Sequence, residues 1–253
     1  MKRFFMRFNL QNGVGHFPAT ATVGAALQNA DASEIQGYLD EFDAIQSART
    51  DRVCARVGNA VEPLAGKKVV FFGDSNTSDN LGYRETVCRV ASLTGVDASI
   101  SGGTSATAIQ FAHDKIRTER PDLVSVMLGA NDSVAIGSEG FGQVSLAEYE
   151  RNLRAILIWA KKANAKVLLM EITPIQKERF DHYFLPQAKL QSKENIALYN
   201  AIVTSLANEL DVPLLRHDFP DLDAALDRDG IHLSCEGHEI LAERWLTHAA
   251  KLF

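Results

Sequence analysis

Three residues of this sequence have the side chains that nucleophilic hydrolysis of an ester requires. The reaction needs a hydroxyl nucleophile, a neutral base that takes its proton, and a carboxylate that orients the base. Ser75 follows the apolar run KVVFFG at a turn that begins with Gly73, and His232 stands three residues after Asp229. We therefore take Ser75 as the candidate nucleophile, His232 as the candidate base and Asp229 as the residue that orients the base.

Two further polar segments offer donors for the oxyanion that develops in such a reaction. The segment SGGTS contains Gly102 and Gly103, and the segment GAND contains Asn131. We predict an oxyanion hole made by the backbone N–H groups of Ser75 and Gly102 and by the side-chain amide of Asn131. Glycine matters at position 102 because a residue without a Cβ lets its backbone approach a substrate closely. Gly103 is the alternative donor, and we favour Gly102.

Taken in this order, the four segments resemble the conserved blocks of the GDSL or SGNH hydrolase superfamily. Its name lists the serine, glycine, asparagine and histidine that Ser75, Gly102, Asn131 and His232 would provide here, with Asp229 as the third member of the triad. The resemblance covers residues 67–253 and implies a flavodoxin-like fold and a serine ester hydrolase of the esterase or lipase type. Asn76 stands where the GDSL motif has leucine, a variation that also occurs within the family.

Other polar residues near these positions have simpler interpretations. Asp74 and Asp132, which adjoin the candidate catalytic residues, are interpreted as hydrogen-bond acceptors that hold their loops. His238 lies six residues past His232 on the closing helix and is interpreted as structural.

Stepwise alternation of strands and helices is expected to bring these segments together. Short apolar runs rich in β-branched residues alternate with segments of helical period, which is typical of βα units around a parallel sheet. Five strands are predicted, ending at Gly73, Gly103, Asp132, Ile172 and Asp218. Because ligands bind beyond the carboxyl ends of such strands, the residues that follow each run are the ones expected to form the site.

Helices are predicted between and after these strands, because their apolar residues recur at intervals of three and four. They cover residues 82–93, 106–118, 146–163, 189–210 and 236–252. Continuously apolar strands indicate a sheet that is covered on both faces. The predicted fold is therefore α/β: a three-layer α/β/α sandwich around a five-stranded parallel sheet, spanning residues 67–253.

Residues 1–66 do not fit this repeat and are predicted to form an N-terminal helical appendage. One helical stripe lies within them, made by Ile35, Tyr38, Leu39, Phe42 and Ile45. The stripe is expected to pack on the sandwich or on another subunit, so self-association through this appendage is left open.

Composition narrows the function further. Of the 253 residues, 46% are hydrophobic, which is enough for a sizeable core. The 26 Lys and Arg residues are outnumbered by 32 Asp and Glu, so no basic excess favours a nucleic-acid partner. The expected partner is a small-molecule ester, with no cofactor and no metal.

Neither a membrane span nor a signal peptide is predicted. No stretch approaches the ~20 apolar residues of a membrane span. The first ten residues, MKRFFMRFNL, are basic and aromatic but lack the apolar core of a signal peptide. A cytoplasmic protein is therefore expected.

Three rival functions compete with the serine hydrolase. An α/β-hydrolase lipase would carry G-x-S-x-G around its nucleophile, whereas this chain has Thr77 in place of the second glycine. A metal-dependent phosphoesterase needs clustered ligands, and no D-x-H or H-x-x-x-H spacing occurs. A non-catalytic binding module on the same fold stays open, although Ser75, Asp229 and His232 argue against it.

The substrate is less well defined by the sequence. Loops at 133–145 and 173–187 are expected to wall the pocket, the second with Phe180, Tyr183 and Phe184. These aromatic residues would grip an acyl chain or a sugar ring, or would pack on one another. Short acyl groups such as acetyl are preferred, while thioesters, lysophospholipids, acylated carbohydrates and transfer to an alcohol remain open.

Overall fold

A computed structural model describes residue 3 and residues 6–8, 20–136, 141–184 and 190–253 of the chain. Its centre is a sheet of five parallel strands: β1 (Lys68–Gly73), β2 (Thr94–Ser99), β3 (Leu123–Met127), β6 (Lys166–Met170) and β7 (Leu214–Leu215). Across the sheet the strands lie in the order β2-β1-β3-β6-β7. A short antiparallel pair, β4 (Ala135–Ile136) and β5 (Phe141–Gly142), lies outside this sheet.

Alternate residues of each central strand point into two separate apolar clusters. Val70 and Phe72 of β1 belong to one cluster, and Val69 and Phe71 belong to the other. The first cluster also holds residues of α5 (Ser105–Glu119), α6 (Leu146–Lys162) and α8 (Lys193–Glu209). The second holds residues of α4 (Tyr83–Val90) and α10 (Cys235–Ala250). The predicted three-layer sandwich with a five-stranded parallel sheet is thus confirmed.

The four longest helices of the sandwich begin where the sequence provides a hydroxyl cap. Thr104, Ser145, Ser192 and Ser234 each accept a hydrogen bond from a backbone N–H of the first turn that follows. The cap explains why α8 begins at Lys193, whereas the prediction placed its start at Lys189, which lies outside the described residues. The C-terminal end of α4 also differs from the prediction. This helix stops at Val90 and not at Leu93, because Ser92 has a left-handed φ of 51°.

Four strands end earlier than predicted. β3 ends at Met127 and not at Asp132, since the chain turns at Gly129 with a φ of 129°, and β6 ends at Met170 and not at Ile172. β2 and β7 are also shorter. β2 ends at Ser99, because the chain turns at Ile100, whose carbonyl accepts a hydrogen bond from Gly103 N. β7 contains only Leu214 and Leu215, although the prediction extended it to Asp218. Just beyond β7, His217 Nε2 forms a hydrogen bond with the carbonyl oxygen of Glu171 at 2.7 Å. This side-chain bond stands in place of a backbone hydrogen bond between the two strands.

The remaining elements of the described residues are α1 (Ala21–Gln28), the long helix α2 (Ala32–Val57), a 3₁₀ helix (Gly58–Leu64), α3 (Ser75–Ser78), α7 (Lys177–Tyr183) and α9 (Leu222–Ala225). None of the helices in the described part of the chain is long and apolar enough to cross a membrane.

The predicted stripe of α2 packs within this chain. Ile35 and Phe42 are buried together with Met6 and Leu81. Further along α2, Gln46 donates hydrogen bonds to the carbonyls of Asn80 and Gly82, at 3.0 and 3.1 Å. The N-terminal helices thereby support the loop that follows Ser75. A domain boundary at residue 66 and self-association stay predictions.

Candidate active site

The structure brings Ser75, His232 and Asp229 into one hydrogen-bonded series, although Ser75 and His232 are 157 positions apart. Ser75 Oγ lies 2.8 Å from His232 Nε2, and His232 Nδ1 lies 2.6 Å from Asp229 Oδ2. Because the carboxylate can only accept, Nδ1 carries the ring proton and Nε2 is left to accept from the serine hydroxyl. This arrangement can remove a proton from Ser75.

Ser75 is held at the end of β1 by a tight turn. A Cβ at Gly73 would come 2.1 Å from Thr77 Oγ1, so only glycine fits there. Asp74 then caps α3, since its carboxylate accepts a hydrogen bond from Asn76 N at 3.1 Å. Ser75 is therefore the first residue of a helical turn that leaves the edge of the sheet.

Asp229 orients His232 through the backbone as well as through the ring. Its Oδ1 accepts hydrogen bonds from Ile231 N and His232 N, at 3.1 and 3.0 Å. Burial alone would raise the pKa of Asp229, but the hydrogen bonds from His232 and Ile231 and the His232 charge outweigh it, so the pKa lies below its usual value. The residue is thus a carboxylate at neutral pH, as an orienting group must be.

Two loops beside Ser75 carry the predicted oxyanion donors. Ile100 N donates to Gly73 O at 3.1 Å, which places the loop after β2 next to the turn before Ser75. Asn131 Nδ2 donates to Gly103 O at 3.0 Å and so joins the loops after β2 and β3. Gly102 has a φ of 74°, and a Cβ added there would meet no atom within 4 Å, so backbone conformation favours glycine at this position.

Asp74 and Asp132 are buried acceptors within these loops, as predicted. Asp132 accepts from the backbone N–H of Ser105 at 3.0 Å and from its hydroxyl, and Asn152 donates to that hydroxyl at 3.2 Å. Burial raises the pKa of Asp74 and of Asp132 to about 6. Both side chains hold the loops that carry the candidate catalytic residues.

Asn76 connects two parts of the candidate site, a contact that the sequence interpretation missed. Its side chain is 2% exposed, accepts from Leu233 N at 2.9 Å and donates to Ile231 O at 3.2 Å and to Thr173 Oγ1 at 3.3 Å. Because Ile231 and Leu233 flank His232, this one residue ties the turn of Ser75 to both sides of His232. The sequence signal was its position directly after Ser75.

An N-terminal segment also reaches the site, which sequence reasoning did not anticipate. Phe8 packs on His232 with ring centroids 4.9 Å apart. Arg7 pairs with Asp79 and with Asp227. Arg7 and Asp227 are 220 positions apart, and no local sequence pattern indicates a contact between residues so far apart.

His238 is buried, with its Nδ1 accepting from Tyr83 N at 3.2 Å and its Nε2 3.3 Å from Asp79 Oδ2. Burial lowers the pKa of His238 to about 4, so the ring is neutral at pH 7. These contacts agree with the structural interpretation of this residue. Among the described residues, no group of three or more His, Cys, Asp or Glu side chains is arranged to hold a metal ion.

The loop at 173–187 is only partly consistent with a pocket wall. Phe180 is 1% exposed and packs on Phe184 at 4.8 Å between ring centroids. Tyr183 also contacts Phe184 but is 46% exposed. The aromatic residues pack mainly on one another, which was one of the two alternatives. Residues 185–187 of this loop, and residues 137–140 of the loop at 133–145 with Gly137 and Gly140, lie outside the described residues.

Residues 71–240, which include all four polar segments, match the sequence model of the GDSL-like lipase/acylhydrolase family. The chain belongs to the GDSL-like lipase/acylhydrolase family. The resemblance found in the sequence is thereby confirmed.

Similar proteins include other members of this GDSL-like family. A GDSL esterase/lipase from rice (WDL1) is 30% identical over 203 residues, which are 75% of this chain and 77% of the relative. Thioesterase 1/protease 1/lysophospholipase L1 of Escherichia coli K12 is 34% identical over 154 residues, which are 60% of this chain and 64% of the relative. The GDSL-like chain is accordingly a carboxylic ester hydrolase.

The crystal structure of a lipase/acylhydrolase from Enterococcus faecalis has the same fold. It superimposes with a TM-score of 0.61 at 20% identity, and the match covers 74% of this chain and 96% of that one. Its similarity supports the α/β/α architecture of the GDSL-like chain.

Proposed function

We propose that this GDSL-like hydrolase cleaves esters through an acyl-enzyme on Ser75, with His232 as the base and Asp229 as its orienting carboxylate. The observation that carries the proposal is the unbroken hydrogen-bonded series. Ser75 Oγ lies 2.8 Å from His232 Nε2, and His232 Nδ1 lies 2.6 Å from Asp229 Oδ2. Both distances lie within the reach that proton transfer requires.

In the first half of the reaction, Ser75 Oγ forms a bond to the ester carbonyl carbon as its proton passes to His232 Nε2. The tetrahedral intermediate then expels the alcohol, which takes that proton from the imidazolium. In the second half, water gives a proton to Nε2 and its oxygen adds to the acyl carbon. Collapse of this second intermediate releases the acid and returns the proton to Ser75 Oγ.

The negative charge of each intermediate needs nearby donors, which we propose to be the N–H groups of Ser75 and Gly102 and the side-chain amide of Asn131. Asn131 supports this function because its Nδ2 carries two hydrogens. One of them is directed to Gly103 O at 3.0 Å, and we propose that the other is donated to the oxyanion. The loop that contains Asn131 is held in place by its neighbour Asp132, which accepts a hydrogen bond from Ser105 N.

For the substrate we propose a short acyl group such as acetyl. Phe180, a candidate for gripping a longer chain, is buried and packs on Phe184. The name of the Escherichia coli relative covers thioesters and lysophospholipids, so a series of chain lengths is the direct test. We expect kcat/KM on p-nitrophenyl esters to be highest at acetate or butyrate and to fall towards palmitate. A maximum at palmitate would contradict this preference.

The nucleophile is tested with a fluorophosphonate probe that labels activated serines. We expect labelling and ester hydrolysis in the wild-type protein, and loss of both in Ser75→Ala. The matched control is Ser78→Ala, which removes a hydroxyl from the same turn, where Ser78 Oγ donates to Ser75 O at 3.3 Å. Hydrolysis that survives in Ser75→Ala would refute the acyl-enzyme, and ester binding without labelling or hydrolysis would indicate a non-catalytic module.

A further inference from the structure

The N-terminal residues Met6–Phe8, here named the strap, lie against the loop that follows Ser75. Asn80 N donates to Arg7 O at 2.6 Å, and Asn80 Nδ2 donates to Met6 O at 2.9 Å. Phe8 forms an antiparallel bridge with Asp79. Both backbone and side-chain bonds thus fix the strap beside the nucleophile.

Arg7 connects this loop with the loop of the base. Its guanidinium donates to Asp79 Oδ2 at 3.1 and 2.5 Å, to Asp227 Oδ2 at 2.7 Å and to Leu233 O at 3.3 Å. Asp79 N bonds to Ser75 O at 3.0 Å, while Asp227 N bonds to His232 O at 2.8 Å. A single side chain therefore spans from the turn of Ser75 to the turn of His232.

The ion pairs of Arg7 are mostly shielded from water. The side chains of Arg7 and Asp79 are 8% and 1% exposed, and that of Asp227 is 30% exposed. One cation thereby faces two carboxylates, and the neighbouring His238 is neutral at pH 7 because burial lowers its pKa to about 4. Replacing Arg7 with an apolar residue would leave the buried Asp79 without its main counter-charge.

Phe8 is in direct contact with the ring of the base. The two ring planes are tilted by 42° at a centroid distance of 4.9 Å, and Phe8 is 8% exposed. The His232 side chain is 14% exposed. Phe8 therefore covers part of the imidazole and limits how far it can swing away from Ser75.

We propose that Arg7 and Phe8 are positioning residues of the active site: Arg7 sets the spacing of the Ser75 and His232 loops, and Phe8 holds the imidazole in line with Ser75 Oγ. This inference rests on the proposed serine mechanism. Neither residue touches the reacting atoms of the substrate in this mechanism. Their effect is on the geometry of the 2.8 Å contact between Ser75 and His232, and a displacement of ~1 Å in such a contact costs on the order of 10²-fold in rate.

The experiment compares Phe8→Ala with Phe8→Leu, and Arg7→Met with Arg7→Lys, in the full-length chain. Arg3→Met is the matched control, because Arg3 also lies in the N-terminal segment but pairs with the exposed Glu41. Each variant is measured for kcat and KM on p-nitrophenyl acetate and for its rate of fluorophosphonate labelling. Proton NMR follows the downfield signal of the hydrogen bond between His232 Nδ1 and Asp229.

Positioning predicts that Phe8→Ala lowers kcat about tenfold to a hundredfold while KM changes little. The labelling rate should fall by the same factor, and the downfield signal should broaden or shift. Phe8→Leu should recover most of the activity, because it restores apolar cover for the ring. Arg7→Lys should recover only part of the activity lost in Arg7→Met, since an ammonium cannot bind two carboxylates in the geometry of a guanidinium fork. Arg3→Met should match the wild-type protein.

Several results would overturn the inference. Wild-type kcat and labelling in folded Phe8→Ala would show that the ring needs no support. Higher activity would make the strap an inhibitory cover, and a KM effect that depends on acyl length with constant kcat would make Phe8 a wall of the acyl pocket. If Arg7→Met does not fold, the two Phe8 variants decide. Failure of the serine mechanism is distinguishable, because the wild-type protein would then not be labelled at Ser75.

Discussion

Replacing Asn76 with leucine tests whether the turn of the nucleophile holds the base in place. Leucine stands at this position in the GDSL motif, so a comparison of sequences alone would suggest that the change is tolerated. In this chain, however, Asn76→Leu removes three side-chain hydrogen bonds, to Leu233 N, Ile231 O and Thr173 Oγ1. We expect a loss of both stability and activity.

The expected loss of stability follows from the groups left unpaired. Leu233 N and Ile231 O are backbone groups at a buried or partly buried site, and each would lose its Asn76 partner. At about 1–3 kcal/mol for each unsatisfied buried group, the free energy of unfolding should fall by roughly 2–6 kcal/mol. The free energy of unfolding of a native protein is about 5–15 kcal/mol in total, so a loss of this size leaves enough for the variant to fold at low temperature.

The expected loss of activity follows from the position of these two groups on either side of His232. Freed from Asn76, the turn can move relative to Ser75, and a shift of ~1 Å would lower kcat by on the order of 10²-fold. The measurements are chemical denaturation, and kcat on p-nitrophenyl acetate at a temperature where the variant is fully folded.

Asn200→Leu is the matched control for Asn76→Leu. Asn200 Oδ1 accepts from Ile172 N at 2.8 Å, and Asn200 Nδ2 contacts Ile172 O at 3.5 Å. Like Asn76→Leu, this control removes an asparagine that contacts backbone N–H and C=O groups, but these groups belong to Ile172, just after β6. It should lower stability without a comparable loss of kcat. If folded Asn76→Leu retains wild-type kcat, or if both variants lose kcat equally, the reasoning about Asn76 is refuted.

Three further changes test other parts of the site. Asn131→Ala should lower kcat by about 10²- to 10³-fold, as loss of an oxyanion donor does, and a loss below about tenfold would remove Asn131 from that function. Asp229→Asn should lower kcat by about 10⁴-fold, because the amide no longer selects the required ring tautomer; activity near wild-type would show that Asp229 does not orient His232. Burial raises the pKa of Asp132 to about 6, so its ionisation opposes folding, and the contribution of this carboxyl to stability should fall as pH rises from about 4 to 6. Relative to the wild-type protein, Asp132→Asn should therefore gain on the order of 3 kcal/mol in free energy of unfolding between pH 4 and pH 6 in urea titrations, whereas an unchanged pH dependence would contradict the raised pKa.

The sandwich and the polar residues at strand ends could be predicted from the sequence because both depend on local patterns. Apolar runs such as KVVFFG identify buried strands, and parallel strands bring their carboxyl ends to one edge. This is why the sequence alone was enough to place Ser75 and His232 at the same edge. The end of β7 could not be predicted, because there a side chain, His217, replaces the backbone pairing of an edge strand.

The supporting contacts of the site were not predictable for a different physical reason. Arg7 and Asp227 are separated by 220 positions, and Phe8 contacts His232 from a strap that is itself paired with Asp79. No period or motif records such a contact, since an arginine near the N-terminus has the same local appearance whether it is solvated or buried. Asn76 was visible as a departure from the GDSL motif, but its three partners were not.

These supporting contacts can keep Ser75 and His232 in position even though the proposed mechanism breaks the hydrogen bond between them in every turnover. In the proposed mechanism, the hydrogen bond between Ser75 and His232 is lost when the acyl-enzyme forms, so this bond cannot be what keeps the two loops together. Two other connections contain none of the bonds that this mechanism breaks: Asn76 to the backbone on both sides of His232, and Arg7 to Asp79 and Asp227. Because neither connection includes the reacting atoms, the imidazole can exchange its proton while the two loops keep their relative position.

Removing both connections, in Arg7→Met combined with Asn76→Leu, should therefore raise the activation free energy calculated from kcat by more than the sum of the two single changes. The reason is that each connection alone still limits the movement of the same loop. Strict additivity would instead mean that the two connections act on independent motions.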